Sequence, residues 1–184
     1  NLPKVPFQRW GGFIFASLEP AFDIKEILKP MEEKVGFLPL EDFRFDDNRS
    51  KEYLVNANWA LYCENYLEGL HIPFVHPDLN QVLNFGEYEY DAFPYSNLQI
   101  GYGKNEKECF DLPEDHSDHG KHIAAYYFWL FPNMMFNFYP WGLSMNIVRP
   151  IGVDKTKVSF LTFIYDEKKL EQGAGAILDK VERE

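Results

Sequence analysis

The chain is poor in cysteine, with two in 184 residues, which excludes a small fold stapled by several disulfides. Cys63 and Cys109 stand alone in the sequence and are expected as buried thiols. No apolar run approaches the roughly 20 residues that a membrane-spanning helix needs, and no signal pattern opens the chain, so the expected compartment is cytoplasmic. Positive charge is scarce as well. Eighteen Lys and Arg against 29 Asp and Glu leave a formal net charge of −11, which argues against nucleic acid, whose phosphates need cationic partners. The same balance suits an acidic docking face or a cationic substrate. Internal repeats and low-complexity tracts are also absent. What the chain has is 46% hydrophobic content, enough at this length for one domain with a real core.

Periodicity predicts an α+β order. A strand is expected around Gly12–Leu18, then an amphipathic helix over Ile24–Val35, where Ile24, Ile27, Leu28, Met31 and Val35 recur at helical spacing and Pro30 interrupts. Lys51–Asn58 alternates as a strand, and a helix is expected over Trp59–Leu70. Further strands are predicted at Glu87–Ala92, Asn97–Gly103, His122–Phe131, Met134–Tyr139, Leu143–Arg149 and Lys157–Tyr165. Pro132-Asn133 and Pro140-Trp141-Gly142 are turn chemistry, so these neighbours should pair antiparallel. A terminal helix, Glu167 to Glu184, closes the set, and the acidic segment Gly103–Gly120 reads as one mobile surface loop able to gate a pocket.

The chemistry concentrates between Glu64 and Pro77, where His71, His76 and Glu68 fall close together. Two imidazoles and a carboxylate on one face of iron leave positions open for O₂ and substrate. At about 100° per residue the two histidines diverge by roughly 140° around a regular helix, so an ordinary helix cannot aim both at one metal. Pro73 between them should end, kink or widen the helix and swing His76 back. Glu68, three residues before His71, is within reach of the ring nitrogen a metal leaves free.

Asn58-Trp59, Glu64-Asn65-Tyr66, Glu68, His71 and Phe74-Val75-His76-Pro77 together resemble the catalytic domain of the Rieske non-haem iron oxygenases. These are the ring-hydroxylating dioxygenase α-subunits and their choline- and carnitine-monooxygenase relatives. The resemblance implies a helix-grip fold, a curved antiparallel sheet with a long C-terminal helix across its mouth. It implies mononuclear Fe(II) on His71 and His76, O₂, and a small arene or quaternary ammonium substrate that is hydroxylated or demethylated. Glu68 takes the place of the acid that carries the electron from a neighbouring subunit's [2Fe-2S] Rieske cluster. Glutamate there, where many relatives have aspartate, leans toward the carnitine-like branch. A ferredoxin or reductase and a homotrimer are the implied partners.

Trp10–Phe15 resembles the last strand of a Rieske domain, so residues 1–20 are expected to be the end of that domain and a linker, and residues 21–184 the iron domain. A Rieske cluster needs two Cys and two His in short paired motifs. Neither Cys63 nor Cys109 has such a histidine nearby, so the cluster is expected in an N-terminal part missing from this chain. The family's third iron ligand is an Asp after an acidic helical segment. Leu178–Glu184 looks like that segment, so the ligand is expected just beyond Glu184, with Asp179, Glu182 and Glu184 as poorer substitutes.

Blander readings stand beside these. The fold could serve as a metal-free helix-grip module for an apolar ligand, or the histidines could hold zinc for hydrolysis. Asn65 is either a hydrogen-bond partner of the site or an ordinary helix residue. His116, His119 and His122 sit among Glu114, Asp115 and Asp118 and read as solvated loop residues rather than a second metal site. In Met134–Tyr139, Met135 and Asn137 face one side and Met134, Phe136 and Phe138 the other, so only one set can face the iron.

Overall fold

The computed structural model describes residues 4–182. Strands β1 (Phe7–Trp10) and β2 (Phe13–Ala16) form a hairpin that turns at Gly11, where φ is +54° and a Cβ would meet Leu40 Cβ at 2.8 Å. Only glycine takes that conformation without strain. Helix α1 (Lys25–Val35) follows and runs straight through Pro30, contrary to the expected interruption. The missing N–H faces the exposed turn at Glu26, while Ile27, Leu28, Met31 and Val35 are buried on the other side. Burying each such side chain stabilises by about 1.5–3 kcal/mol, which keeps the helix together.

Seven strands make one curved antiparallel sheet: β3 (Arg44–Val55), β4 (Glu89–Ala92), β5 (Ser96–Tyr102), β6 (Ile123–Leu130), β7 (Met134–Tyr139), β8 (Gly142–Gly152) and β9 (Lys155–Ile164). They lie in the order β3-β9-β8-β7-β6-β5-β4. Strand β3 begins seven residues before the expected Lys51. A register shift between Asp46 and Lys51 hides its first half, because Asp46 Oδ1 accepts the N–H groups of Asn48 at 3.0 Å and Arg49 at 3.3 Å and breaks the alternation.

The pleat divides two interiors. Leu98, Ile100, Tyr126, Phe128, Phe136, Phe138, Leu143 and Met145 point to one face and form the main core with Trp10 and α1. Trp10 meets Phe138 edge-on at 6.2 Å, which seats the hairpin on that core. The opposite face carries α2 (Trp59–Leu67), α3 (Ile72–Val75) and α4 (Pro77–Val82), followed at the C-terminal end by α5 (Glu167–Leu170), α6 (Gly173–Ala176) and α7 (Leu178–Val181). The expected terminal helix is thus three single turns within the described residues. Gly173 at φ +53° breaks it, and Gly175 comes so near the Leu170 carbonyl that a Cβ would lie 2.3 Å from its oxygen. Among the described residues no helix is long and apolar enough to cross a membrane.

The segment 103–120, expected as a mobile loop, is packed down: Cys109, Phe110, Leu112 and Asp118 are buried, and none of it lines the main cavity. Asp118 Oδ2 accepts from Lys34 Nζ at 2.6 Å and from the Tyr126 hydroxyl at 3.0 Å, and Oδ1 accepts from Lys121 Nζ at 3.0 Å. His116 is part of the same anchor, with Nε2 3.0 Å from the Lys34 carbonyl and its ring against Phe37. Burial pushes the Asp118 carboxyl up, but the two lysines and the phenol outweigh it and hold the group below its ordinary value of 3.8. Asp118→Asn is therefore expected to lower stability by about 2 kcal/mol at pH 7, because it removes the buried counter-charge shared by the part-buried Lys34 and the more exposed Lys121. A group with a depressed folded value contributes fully above the ordinary one, and the contribution drains away as pH falls below it. Urea midpoints of the two proteins at pH 7 should differ clearly and converge only well below pH 4; equal midpoints at pH 7 would rule out the anchor.

Candidate metal centre

Helix α2 starts where Asn58 Oδ1 caps the Ala60 N–H at 2.9 Å, while Asn58 Nδ2 donates to the Val153 carbonyl at 2.7 Å and ties the helix to the sheet. It ends at Leu67, earlier than the expected Leu70. Near that end the Tyr66 carbonyl, which has no partner within the helix, accepts from Gln99 Nε2 at 2.7 Å. The chain then extends at Glu68 (φ −115°, ψ 150°), so the break lies there and not at Pro73. Pro73 instead sits at the start of α3, where a missing N–H costs nothing.

The two histidines bracket that single turn. His71 precedes α3, and His76 follows it with φ −113° and ψ 67°, outside helical values. His71 itself keeps helical values (φ −75°, ψ −24°), so the departure from the helix between the two rings lies at His76. The ring centroids are 5.2 Å apart with planes at 73°. Glu68 locks the first ring: Oε1 lies 2.5 Å from His71 Nδ1, and Oε2 accepts the backbone N–H groups of Leu70 at 2.5 Å and His71 at 3.3 Å. Burial raises the Glu68 carboxyl, yet these three donors prevail and hold it below its ordinary range. With Nδ1–H given to a carboxylate, Nε2 is the nitrogen of His71 left for a metal.

This donor set fits a divalent metal on its nitrogen side. Among the described residues no group of three His, Cys, Asp or Glu side chains is placed to hold an ion, so what they bring together here is a pair of imidazoles rather than a set of three. Asp179 is turned outward and pairs with Lys51. Glu182 lines the same cavity as the histidines but does not converge with them. Glu184 lies outside the described residues, as does the position expected beyond it. Asn65 lines the cavity from α2, and its side chain makes no hydrogen bond among the described residues.

His71 and His76 lie on the wall of a cavity of about 650 Å³ between α2, α3 and the sheet. Its lining contains Tyr66 of the motif and Tyr139 of β7, together with residues the sequence did not single out: Tyr62 from α2, and Gln99 and Tyr127 from the strands. The Tyr66 hydroxyl donates to Asn137 Oδ1 at 2.8 Å, and Asn137 Nδ2 donates to the Ser144 carbonyl at 2.9 Å and to Asn146 Oδ1 at 3.2 Å. Desolvation pushes the Tyr66, Tyr88 and Tyr139 phenols well above their usual value and Tyr62 up to about 12. All of them are neutral at any ordinary pH. The spacing Tyr62, Asn65, Tyr66 is one helical face, a signal that was available in the sequence.

The family described as ring hydroxylating alpha subunit (catalytic domain) matches residues 41–183. Choline monooxygenase, chloroplastic, from Arabidopsis thaliana is 34% identical over 116 residues, which cover 62% of this chain and 26% of that protein. Among solved structures, a quaternary ammonium Rieske monooxygenase of carnitine oxidation superposes with a TM-score of 0.69 at 17% identity, over 89% of this chain and 43% of that one. Naphthalene 1,2-dioxygenase gives 0.65 at 13% identity, over 97% and 51%. The chain therefore spans about a quarter of the curated relative's length and about half of the solved ones, and the structural likeness at these identities is a likeness of fold. With the matched residues taking in the whole sheet and the Glu68, His71 and His76 cluster, the chain belongs to the ring-hydroxylating oxygenase α-subunits, the Rieske non-haem iron oxygenases, as their catalytic domain.

Proposed function

We propose that the protein is the part of an oxygenase that uses one Fe(II) and O₂ to hydroxylate or demethylate a small organic substrate, an arene or a quaternary ammonium compound. The observation that carries this reading is the pair of convergent imidazoles on the wall of a large cavity, one of them clamped by Glu68 through Nδ1. His71, through Nε2, and His76 would hold the iron, with a carboxylate just past Glu184 completing the set. Bound there, iron supplies the redox chemistry that no side chain of the protein offers.

The chain's own residues do the positioning. Glu68 fixes the tautomer and ring plane of His71 and keeps a negative charge beside it. In this reading Glu68 would hand on the electron that a [2Fe-2S] Rieske cluster on a neighbouring subunit of a homotrimer, charged by a ferredoxin or reductase, would supply. Residues 1–20 are the end of the cluster-bearing domain. Asn65 borders the approach to Glu68 from α2. The tyrosines and Phe160 wall the substrate space and limit water around the reacting centre.

The test is the EPR spectrum of anaerobic protein loaded with Fe(II) and nitric oxide. A high-spin iron–nitrosyl signal is expected, since it requires an iron with a vacant, gas-accessible position. Its absence from the whole protein, together with uptake of an apolar ligand, would instead identify a metal-free binding module.

A further inference from the structure

A series of aromatic rings runs in contact from the interior beside the cavity to the surface. Trp141 stacks on Tyr139 with centroids 5.2 Å apart, Tyr139 meets Tyr127 edge-on at 5.8 Å, Tyr127 stacks against Tyr88 at 6.4 Å, and Tyr88 leans on Tyr90 at 5.3 Å. Every step is within aromatic contact. Strand pairing sets the alignment: Tyr90 of β4 lies opposite Gln99 of β5, and Gln99 opposite Tyr127 of β6, so the three point to one face of the sheet. Tyr88, two residues before Tyr90, lines the cavity together with His71 and His76 and also borders an open surface recess with Glu87, Tyr102 and Lys121. Ile72, the neighbour of His71, shares an apolar cluster with Tyr127, Tyr139 and Trp141, and Tyr88 packs against it. The outermost ring, Tyr90, is 48% exposed.

Phenols and indoles are among the side chains most easily oxidised by one electron, and rings in contact exchange an electron quickly. Where the resulting hole comes to rest depends on the proton, because a phenol that has lost an electron is strongly acidic and becomes a stable radical only once its proton has gone. The Tyr127 hydroxyl and the Trp141 indole N–H are buried and find no acceptor among the described residues, so releasing a proton there is costly. At the exposed Tyr90, water takes it. The gradient along the series therefore runs from the cavity outward.

We propose that Tyr88 and Tyr90 form an exit for oxidising equivalents, which spares the histidine pair when an oxidant arises at the metal site and no substrate consumes it. This rests on the oxygenase reading, which supplies the oxidant. One electron passes from the Tyr90 ring through Tyr88 to the oxidised site, and the phenolic proton of Tyr90 goes to water. The neutral phenoxyl radical left at the surface is returned to the phenol by a hydrogen atom from a soluble thiol, and two of the resulting thiyl radicals join as a disulfide.

The experiment adds hydrogen peroxide to the whole iron-loaded enzyme, without substrate and with a nitroso spin trap present, and maps the trapped radicals by peptide mass spectrometry. The iron–nitrosyl signal of a parallel sample reports occupancy of the histidine site, and circular dichroism confirms that each variant is folded. The wild type is expected to carry the adduct at Tyr90. Tyr90→Phe should lose it and show oxidation moved inward, to Tyr88 and to the peptide that holds His71 and His76. Tyr88→Phe keeps the ring in place but makes it far harder to oxidise, so the Tyr90 adduct should disappear although Tyr90 itself is untouched, and Tyr88→Trp should restore it. Peroxide attacking the surface at random would mark Tyr90 equally in the wild type and in Tyr88→Phe, and that result overturns the proposal, as does an unmarked Tyr90 in wild type that gives the nitrosyl signal. A wild type without that signal removes the oxygenase reading and the exit path with it, so the two failures are told apart.

Discussion

Replacing His76 with alanine is expected to abolish the iron–nitrosyl signal while leaving the fold intact. The protein offers two nitrogen ligands within the described residues, so removing one halves that set and should weaken iron by at least about 100-fold, or about 3 kcal/mol. The backbone N–H of His76 donates to the Ile72 carbonyl at 3.0 Å whatever the side chain, and its φ of −113° is open to alanine. Stability should change by no more than about 1 kcal/mol. Iron content, the nitrosyl spectrum and a thermal melt on wild type, His76→Ala and His71→Ala make the comparison. A variant that keeps the full signal would remove that histidine from the site, and a variant that unfolds would show the pair to be structural.

Glu68 is expected to behave in the opposite way, keeping iron and losing turnover. Its carboxylate touches the metal side only through His71, so Glu68→Ala should leave iron content within a few fold while turnover of the whole enzyme with its reductase falls by about 100-fold. Two roles are combined in one side chain, and Glu68→Gln separates them. The amide oxygen still accepts from Nδ1 and holds the ring, but the charge is gone. If Gln restores turnover, Glu68 works by orienting His71; if Gln is as slow as Ala, the charge itself is needed for electron delivery. Equal iron loss in Glu68→Ala and His71→Ala would sink the division of labour between carboxylate and ligand.

The site was far more legible in the sequence than the path by which the chain builds it. Glu68, His71 and His76 carry a motif whose residue types have few other uses together, and the structure does place all three in one cluster. The joint was misplaced because Pro73 is the obvious helix breaker, whereas the chain leaves the helix at Glu68, where the side chain captures the Leu70 and His71 N–H groups. Capping by a residue just past a helix end leaves no periodic trace. The terminal helix was overextended for a related reason: its charge and apolar spacing are helical, and only the close approach of Gly173 to Glu108 and of Gly175 to Leu170 reveals the breaks. Strand positions came through well where both faces are buried, as from Ile123 to Tyr139, and failed at β3, where local side-chain hydrogen bonds interrupt the alternation. The face of β7 that lines the cavity was undecidable from spacing alone, because alternation fixes which residues share a side and tertiary packing chooses the side. Asn137 and Tyr139 won it, and Phe136 and Phe138 went to the core beneath Trp10. Segment 103–120 was misjudged because its acidity hides a buried aspartate with two lysines.

The alternation across the sheet also bears on how such a domain can diversify. On β5, β6, β7 and β8 the cavity receives Gln99, Tyr127, Asn137, Tyr139, Ser144 and Asn146, while their immediate neighbours Leu98, Tyr126, Phe128, Phe136, Phe138, Leu143 and Met145 belong to the opposite interior. A substitution at the polar cavity positions, Gln99, Asn137, Ser144 or Asn146, alters what the pocket accepts without opening a void in the apolar layer beneath Trp10, whereas Tyr127 and Tyr139 also pack in the apolar cluster under the helices. Histidines held on separate short segments outside the sheet are insulated from both. Ligand preference, mechanical integrity and metal geometry are thereby written in three nearly independent sets of positions, so lineages of this fold can drift in the first while the other two stay fixed.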